Sequence, residues 1–161
     1  MATRSALREK DVLVFELSRA RLILQPRDPD MNTAIDIVRG FYEALGRGDV
    51  PGVLGRLHDR LEWTEAERFP YYSGTWRSPQ EVLDKLLVPI TRDWDGFSAK
   101  PHDFIADGDH VVALGVYSGT SKATGKSMTS PFAHVWTVKD GRLATFNMYT
   151  DTAKVLEALK N

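Results

Sequence analysis

Residues 128–149 read MTSPFAHVWTVKDGRLATFNMY, and this stretch decides the fold. Met128–Val138 has the pattern of a long strand, Asp140-Gly141 is a hairpin dipeptide, and Leu143–Tyr149 is the returning strand. Successive side chains of a strand point to opposite faces, so Phe132, His134 and Trp136 share one. Two registers are open. If Lys139-Asp140-Gly141 forms a three-residue loop with Gly141 left-handed, His134 lies opposite Phe146. If Asp140-Gly141 alone makes the turn, His134 lies opposite Asn147 and near Tyr149. The first is preferred, because it gathers Phe132, Trp136, Phe146 and Met148 on one apolar face.

Working outward, the same β pattern extends back to Phe97. Asp107-Gly108 turns a strand ending at Ala106 into Val111–Tyr117, and Thr120–Lys126 is a polar loop. Downstream, Asp151 is a suitable cap for a last helix carrying Val155, Leu156 and Leu159. Further upstream the period changes. Ile35, Val38, Phe41, Tyr42 and Leu45 recur at helical spacing behind a cap at Asn32 or Thr33, and Gly46 or Gly48 ends that helix. Asp49 caps a short second helix with Pro51, Val53, Leu54 and Leu57. Leu61–Glu65 alternates like a strand. Ser78-Pro79-Gln80-Glu81 opens a helix that carries Val82, Leu83, Leu86 and Leu87 and stops before Pro89. Helices followed by a strand meander make an α+β domain. A long curved sheet with helices on one face leaves a hollow, and that hollow is the expected apolar pocket.

A seam lies at residues 26–32, where two prolines and two aspartates break the pattern. Residues 1–30 ahead of it form a charged extension: a terminal helix or arm, or upstream translated sequence before a start at Met31. Residues 31–161 form the domain. The 161 residues, 42% apolar and 27% charged, suit one globular domain with its own core. Cys is absent, which excludes disulfides and thiolate chemistry and fits a cytoplasmic protein. The net charge of −1 gives nucleic-acid binding little electrostatic support. No apolar run reaches membrane-spanning length, and Glu9, Asp11, Glu16 and Arg19 interrupt any signal-peptide core. His, Asp and Glu never cluster with metal-ligand spacing on one element, and no phosphate loop or dinucleotide fingerprint occurs. Neither a metal nor a cofactor is expected.

Several pieces stand in a familiar order: Phe41-Tyr42-Glu43-Ala44-Leu45 then Gly48-Asp49, Leu61-Glu62-Trp63, Asp107-Gly108 before a strand, Phe132 through Leu143, and Tyr149-Thr150-Asp151-Thr152. From about Met31 to the C-terminus the chain resembles the SnoaL-like, ketosteroid-isomerase-related proteins of the nuclear-transport-factor-like superfamily. The resemblance implies a cone-shaped, cystatin-like α+β fold, a curved antiparallel sheet wrapped by three helices. Its members include isomerases, polyketide cyclases, hydrolases, dehydratases and non-catalytic binding modules, so the fold leaves reaction type open. Ketosteroid isomerases use an Asp base and an oxyanion hole made by a Tyr and a protonated Asp. Carried across, the Tyr position falls on Phe41, the base on Trp63 and the protonated Asp on His134. Phe41 has no hydrogen to donate and Trp63 removes no proton, which argues against steroid isomerisation. The His134 position carries an acid in polyketide-cyclase-like relatives, which implies a proton-handling seat.

On this reading His134 is a general acid/base among aromatic walls, active near pH 7; the plainer alternative is a buried structural His or one at a dimer face. Glu65, on the Trp63 face of its strand, is the candidate partner that orients or charges His134, or else a solvated carboxylate at a strand end. Phe41, Trp63, Phe132, Trp136, Phe146 and Met148 are the candidate walls. Arg68, Tyr71 and Tyr72, in the polar-aromatic connection 66–77, are candidates to hold a polar substrate group, or else anchor a surface loop. Two functions follow. One is a cofactor-free isomerase, cyclase or dehydratase acting on a mostly apolar carbonyl compound. The other is a binding or dimerisation module without chemistry. Both predict a homodimer through the convex sheet face, which carries Ala133, Val135 and Tyr149.

Overall fold

A computed structural model of the chain describes residues 29–161. The expected extension over residues 1–30 lies almost wholly outside them. Helix α1 (Pro29–Gly46) starts earlier than the expected cap at Asn32 or Thr33. Proline suits a first helical turn, where its fixed φ fits and its missing N–H is no loss. The helix ends in a Schellman arrangement: Gly48, at φ 67°, bonds back to the Leu45 carbonyl, and Asp49 N–H reaches the Ala44 carbonyl at 2.9 Å. Asp49 then caps α2 (Val50–Gly55) by accepting from Gly52 N–H at 2.9 Å. Leu57, expected in this helix, instead opens strand β1 (Leu57–Thr64).

The two-residue strand β2 (Thr75–Trp76) precedes α3 (Pro79–Val82). Ser78 accepts from Glu81 N–H as the sequence predicts, while the Glu81 carboxylate accepts from Arg77 N–H. The helix does not stop before Pro89. It passes through a π-helical turn, Leu83–Leu87, into α4 (Val88–Asp93). The Val88 N–H bonds to the Leu83 carbonyl, five residues back. Widening the helix here seats a proline that would otherwise clash with the preceding turn.

The meander is β3 (Trp94–Asp107), β4 (His110–Ser121), β5 (Ser127–Lys139) and β6 (Arg142–Thr150), closed by α5 (Thr152–Leu159). Asp151 caps α5 as expected, accepting from Ala153 N–H. The described residues form one six-stranded sheet in the order β2-β1-β6-β5-β4-β3. The cone-shaped α+β fold is therefore present, but the curved sheet is mixed rather than wholly antiparallel. β1 runs parallel to β6, with Trp63 beside Phe146. The long connection through the helices and the meander allows that direction, which a short hairpin would forbid. Four helices pack on it when α3, the π turn and α4 are taken as one.

The β5–β6 hairpin follows neither expected register. Asp140 and Gly141, both at positive φ, make the two-residue turn, so Lys139 pairs with Arg142. One extra residue on β6 then shifts the register between Val138 and Thr137, and His134 pairs with Met148. Leu143 and Ala144 are both buried at that bulge. The bulge restores the parity of the preferred reading: Phe132, His134, Trp136, Phe146 and Met148 do share a buried face. On β4 the facing positions are Ala113 and Gly115, which pair with His134 and Phe132. Small residues there leave room for the rings.

Candidate functional site

Between the concave sheet face, α1 and the π turn with α4 lies a cavity of about 590 Å³. Its polar lining includes Tyr42, Glu65, Thr91, Ser98, Lys100, Tyr117 and His134, and its walls include Phe41, Trp63, Phe69, Leu86 and Phe146. A more open cleft of about 760 Å³ runs along α5 at Lys126, Lys154 and Lys160. It contains no buried titratable group, so the enclosed cavity is the candidate site. Among the described residues no group of three or more His, Asp or Glu side chains forms a metal cage.

His134 is 4% exposed and reaches the cavity from β5. It stacks on Phe132 with ring centroids 3.9 Å apart and meets Phe146 edge-on. Its Nδ1 is 2.6 Å from the Tyr42 hydroxyl, and its Nε2 contacts the Tyr117 hydroxyl. Tyr42 also accepts from Trp136 Nε1 at 3.1 Å, and Tyr117 donates to Met148 Sδ at 2.9 Å. Both imidazole nitrogens are therefore occupied by phenols. Burial holds the His134 pKa well below its ordinary value, so the ring is neutral. Desolvation opposes the imidazolium, and no carboxylate hydrogen-bonds to the ring to offset it.

Glu65 follows β1 and is 4% exposed. It does not bond to His134. Its Oε1 accepts from Trp63 Nε1 at 2.6 Å, two residues earlier on the same face. Among the described residues Ser121 Oγ is the one fully enclosed side-chain polar atom without a partner. The second Glu65 oxygen has no hydrogen-bond partner among the described residues, and Glu65 lines the cavity. Burial raises the Glu65 pKa to about 7, and the Trp63 hydrogen bond lowers it only in part. Burial also raises the Tyr42 and Tyr117 hydroxyls above their ordinary value, with the Glu65 charge adding to the Tyr117 shift.

Phe41, Trp63, Glu65, His134 and Phe146 thus line the cavity as the sequence implies. Phe132, Trp136 and Met148 are buried on the same face and back the lining residues. Arg68 and Tyr72 do not line it. Arg68 is exposed in a turn at φ 68°, Tyr72 is exposed, and Phe69 between them fills the wall instead. Tyr71 fastens the connection by donating to Asp93 at 3.0 Å and accepting from Trp94 Nε1. Tyr42 and Tyr117 escape the sequence reading as site residues. Tyr42 reads as helix core, one step past the family's Tyr position at Phe41. Tyr117 reads as the end of a strand; only the β4–β5 register puts it near His134.

A curved sheet closed over by helices around an apolar cavity defines the nuclear-transport-factor-like class of α+β domains. Residues 38–146 match the SnoaL-like domain, and the chain belongs to that family. An NTF2-like protein of Burkholderia thailandensis is 35% identical over 80% of this chain and 98% of its own, with a TM-score of 0.76. An NTF2-like protein of unknown function from Burkholderia pseudomallei is 30% identical over 80% and 98%, with a TM-score of 0.73. TerC, solved after co-crystallisation with polyporic acid, is 26% identical over 80% and 99%, with a TM-score of 0.72. None of the curated proteins compared with the chain matches it.

Proposed function

We propose that the domain binds a mostly apolar, carbonyl-bearing small molecule in the cavity and moves a proton on it without a cofactor, as an isomerase, cyclase or dehydratase does. One observation carries this reading: Glu65 is a buried carboxyl lining an aromatic cavity, with one oxygen free of hydrogen bonds and a pKa near 7. Such a group changes charge state at neutral pH, which is where general acid/base catalysis is most efficient. Glu65 takes the proton-transfer role, and His134 holds Tyr42 and Tyr117 in place. TerC, which was co-crystallised with polyporic acid, supports a small molecule as the ligand class. Phe41, Trp63 and His134, at the three catalytic positions of ketosteroid isomerases, argue against that activity.

The test is deuterium uptake beside the carbonyl. A panel of aromatic and alicyclic ketones is incubated with the protein in D₂O and read by mass spectrometry. Exchange above the buffer rate is expected, falling at least ~100-fold in Glu65→Gln. Equal exchange by the two proteins would remove Glu65 from the role. The same three departures from the isomerase positions favour a second reading, a binding module. Ketones that bind without exchanging would support it. In either case we propose a homodimer through the convex sheet face.

A further inference from the structure

The hydrogen bonds around His134 have a direction, and counting protons fixes it. Trp136 Nε1 only donates, and it donates to the Tyr42 oxygen. Met148 Sδ only accepts, and it accepts from Tyr117. With the single Tyr117 proton donated to Met148, the Tyr117 oxygen accepts from His134 Nε2–H. A neutral imidazole protonated at Nε2 has a bare Nδ1, which accepts from the Tyr42 hydroxyl. Every proton then has an acceptor. The opposite tautomer aims Nδ1–H at Tyr42 and leaves the Tyr42 proton with no acceptor among the described residues.

The chain therefore ends on a weak acceptor. A thioether sulfur takes a hydrogen bond poorly, and a carbonyl or enolate oxygen takes one well. Tyr117 lines the cavity beside the candidate base Glu65, whereas Met148 stands behind the lining. We propose that Tyr117 is the hydrogen-bond donor the cavity presents to its ligand's oxygen, and that Met148 holds this proton only while the cavity is empty. The ligand class is an enolisable ketone flanked by apolar rings, with its oxygen at Tyr117 and its acidic carbon at Glu65. The proton stays on Tyr117 throughout. The hydroxyl rotates from sulfur to ligand oxygen while His134 Nε2–H continues to hold the phenol oxygen. Donors aimed at developing negative charge in a dry site are the strongest form of such stabilisation. This inference rests on the ligand-binding reading proposed above.

The probe is 6-propionyl-2-(dimethylamino)naphthalene, an apolar aromatic ketone. Its fluorescence reports occupancy, and the infrared carbonyl stretch of the bound probe reports hydrogen bonding. Wild type is expected to bind saturably with a lowered stretch. Tyr117→Phe, checked for folding by circular dichroism, is expected to bind about tenfold more weakly, the effect of one lost hydrogen bond, with the stretch raised. Met148→Leu, which removes the competing acceptor, is expected to keep the lowered stretch and bind as tightly or more so. Binding by wild type and Tyr117→Phe with identical stretches would overturn the Tyr117 assignment while leaving the pocket reading intact. No saturable binding of this probe by wild type would overturn both.

Discussion

Glu65 and His134 pull the pH dependence of stability in opposite directions. Glu65 has an ordinary pKa of 4.5 and a folded value of about 7. Between those values the folded chain holds a proton that the unfolded chain has released, so stability falls as pH rises through that window. His134 has an ordinary pKa of 6.5 and a folded value well below it. Below pH 6.5 the unfolded chain takes up a proton that the folded chain refuses, so stability falls as pH drops. The two slopes oppose each other from about pH 4.5 to 6.5, and Glu65 acts alone just above. Wild type should change little over the lower window and weaken from pH 6.5 to 8. In Glu65→Gln the His134 slope is uncovered: stability should climb from pH 4.5 to 6.5, then level. At pH 8 this variant should exceed wild type by up to about 3 kcal/mol, if Gln keeps the Trp63 bond. Urea unfolding at pH 5, 6.5 and 8 checks this, and parallel curves for the two proteins would refute the shifted carboxyl. Tyr42→Phe removes one oxygen but strands both Trp136 Nε1–H and His134 Nδ1. It should cost about 2 kcal/mol at pH 7, well beyond a surface Tyr→Phe change such as Tyr149→Phe, measured the same way.

Among the elements, β4 shows how tightly the site is built. A methyl group at Gly115 would come within 2.3 Å of the Phe132 ring and 2.5 Å of the Lys100 carbonyl on β3. A side chain can rotate, but a paired backbone carbonyl moves only by displacing its strand. Gly115→Ala should therefore destabilise the domain by about 1–3 kcal/mol, read as a lowered melting temperature. The other elements explain what the sequence reveals and what it hides. Caps and turns are local, and Asp49, Ser78, Asp140-Gly141 and Asp151 all act where their chemistry predicts. The bulge at Leu143-Ala144 leaves no local mark, since two consecutive apolar residues suit several registers. The β4–β5 register, which carries no bulge, is a separate matter of strand pairing, and it decides that Tyr117 and His134 meet. Pro89 misleads for a related reason: proline ends an α-helical turn, but one π turn ahead of it absorbs the same clash. Aromatic walls were legible from alternation. The polar network was not, because it depends on pairing between strands and on a helix neighbour.

For the whole molecule, the convex sheet face of the described residues carries exposed apolar side chains. Ile105 is 57% exposed and Tyr149 62%, with Val112, Leu114, Val116 and Val135 half-buried around them. These side chains are the basis of the proposed homodimer. Light scattering at micromolar concentration should give the mass of a dimer, and Leu114→Glu should give a monomer with an unchanged circular dichroism spectrum. A stable wild-type monomer would refute the proposal. The rim of the sheet behaves differently from its face. On one side the two-residue β2 covers part of the β1 edge. On the other, β3 is 14 residues long and would offer an inviting row of free amides. It is broken by irregular pairing between Asp95 and Ser98 and between Pro101 and Asp103. Pro101 has no amide hydrogen, and Lys100, His102 and Asp103 around it are charged or polar and mostly exposed. An incoming strand finds a kinked, wet and partly donor-less margin, which is how native sheets avoid amyloid-like growth. The domain is thereby free to carry a sticky face without also carrying a sticky edge, and straightening β3 by replacing Pro101 would put fibrillation within its reach.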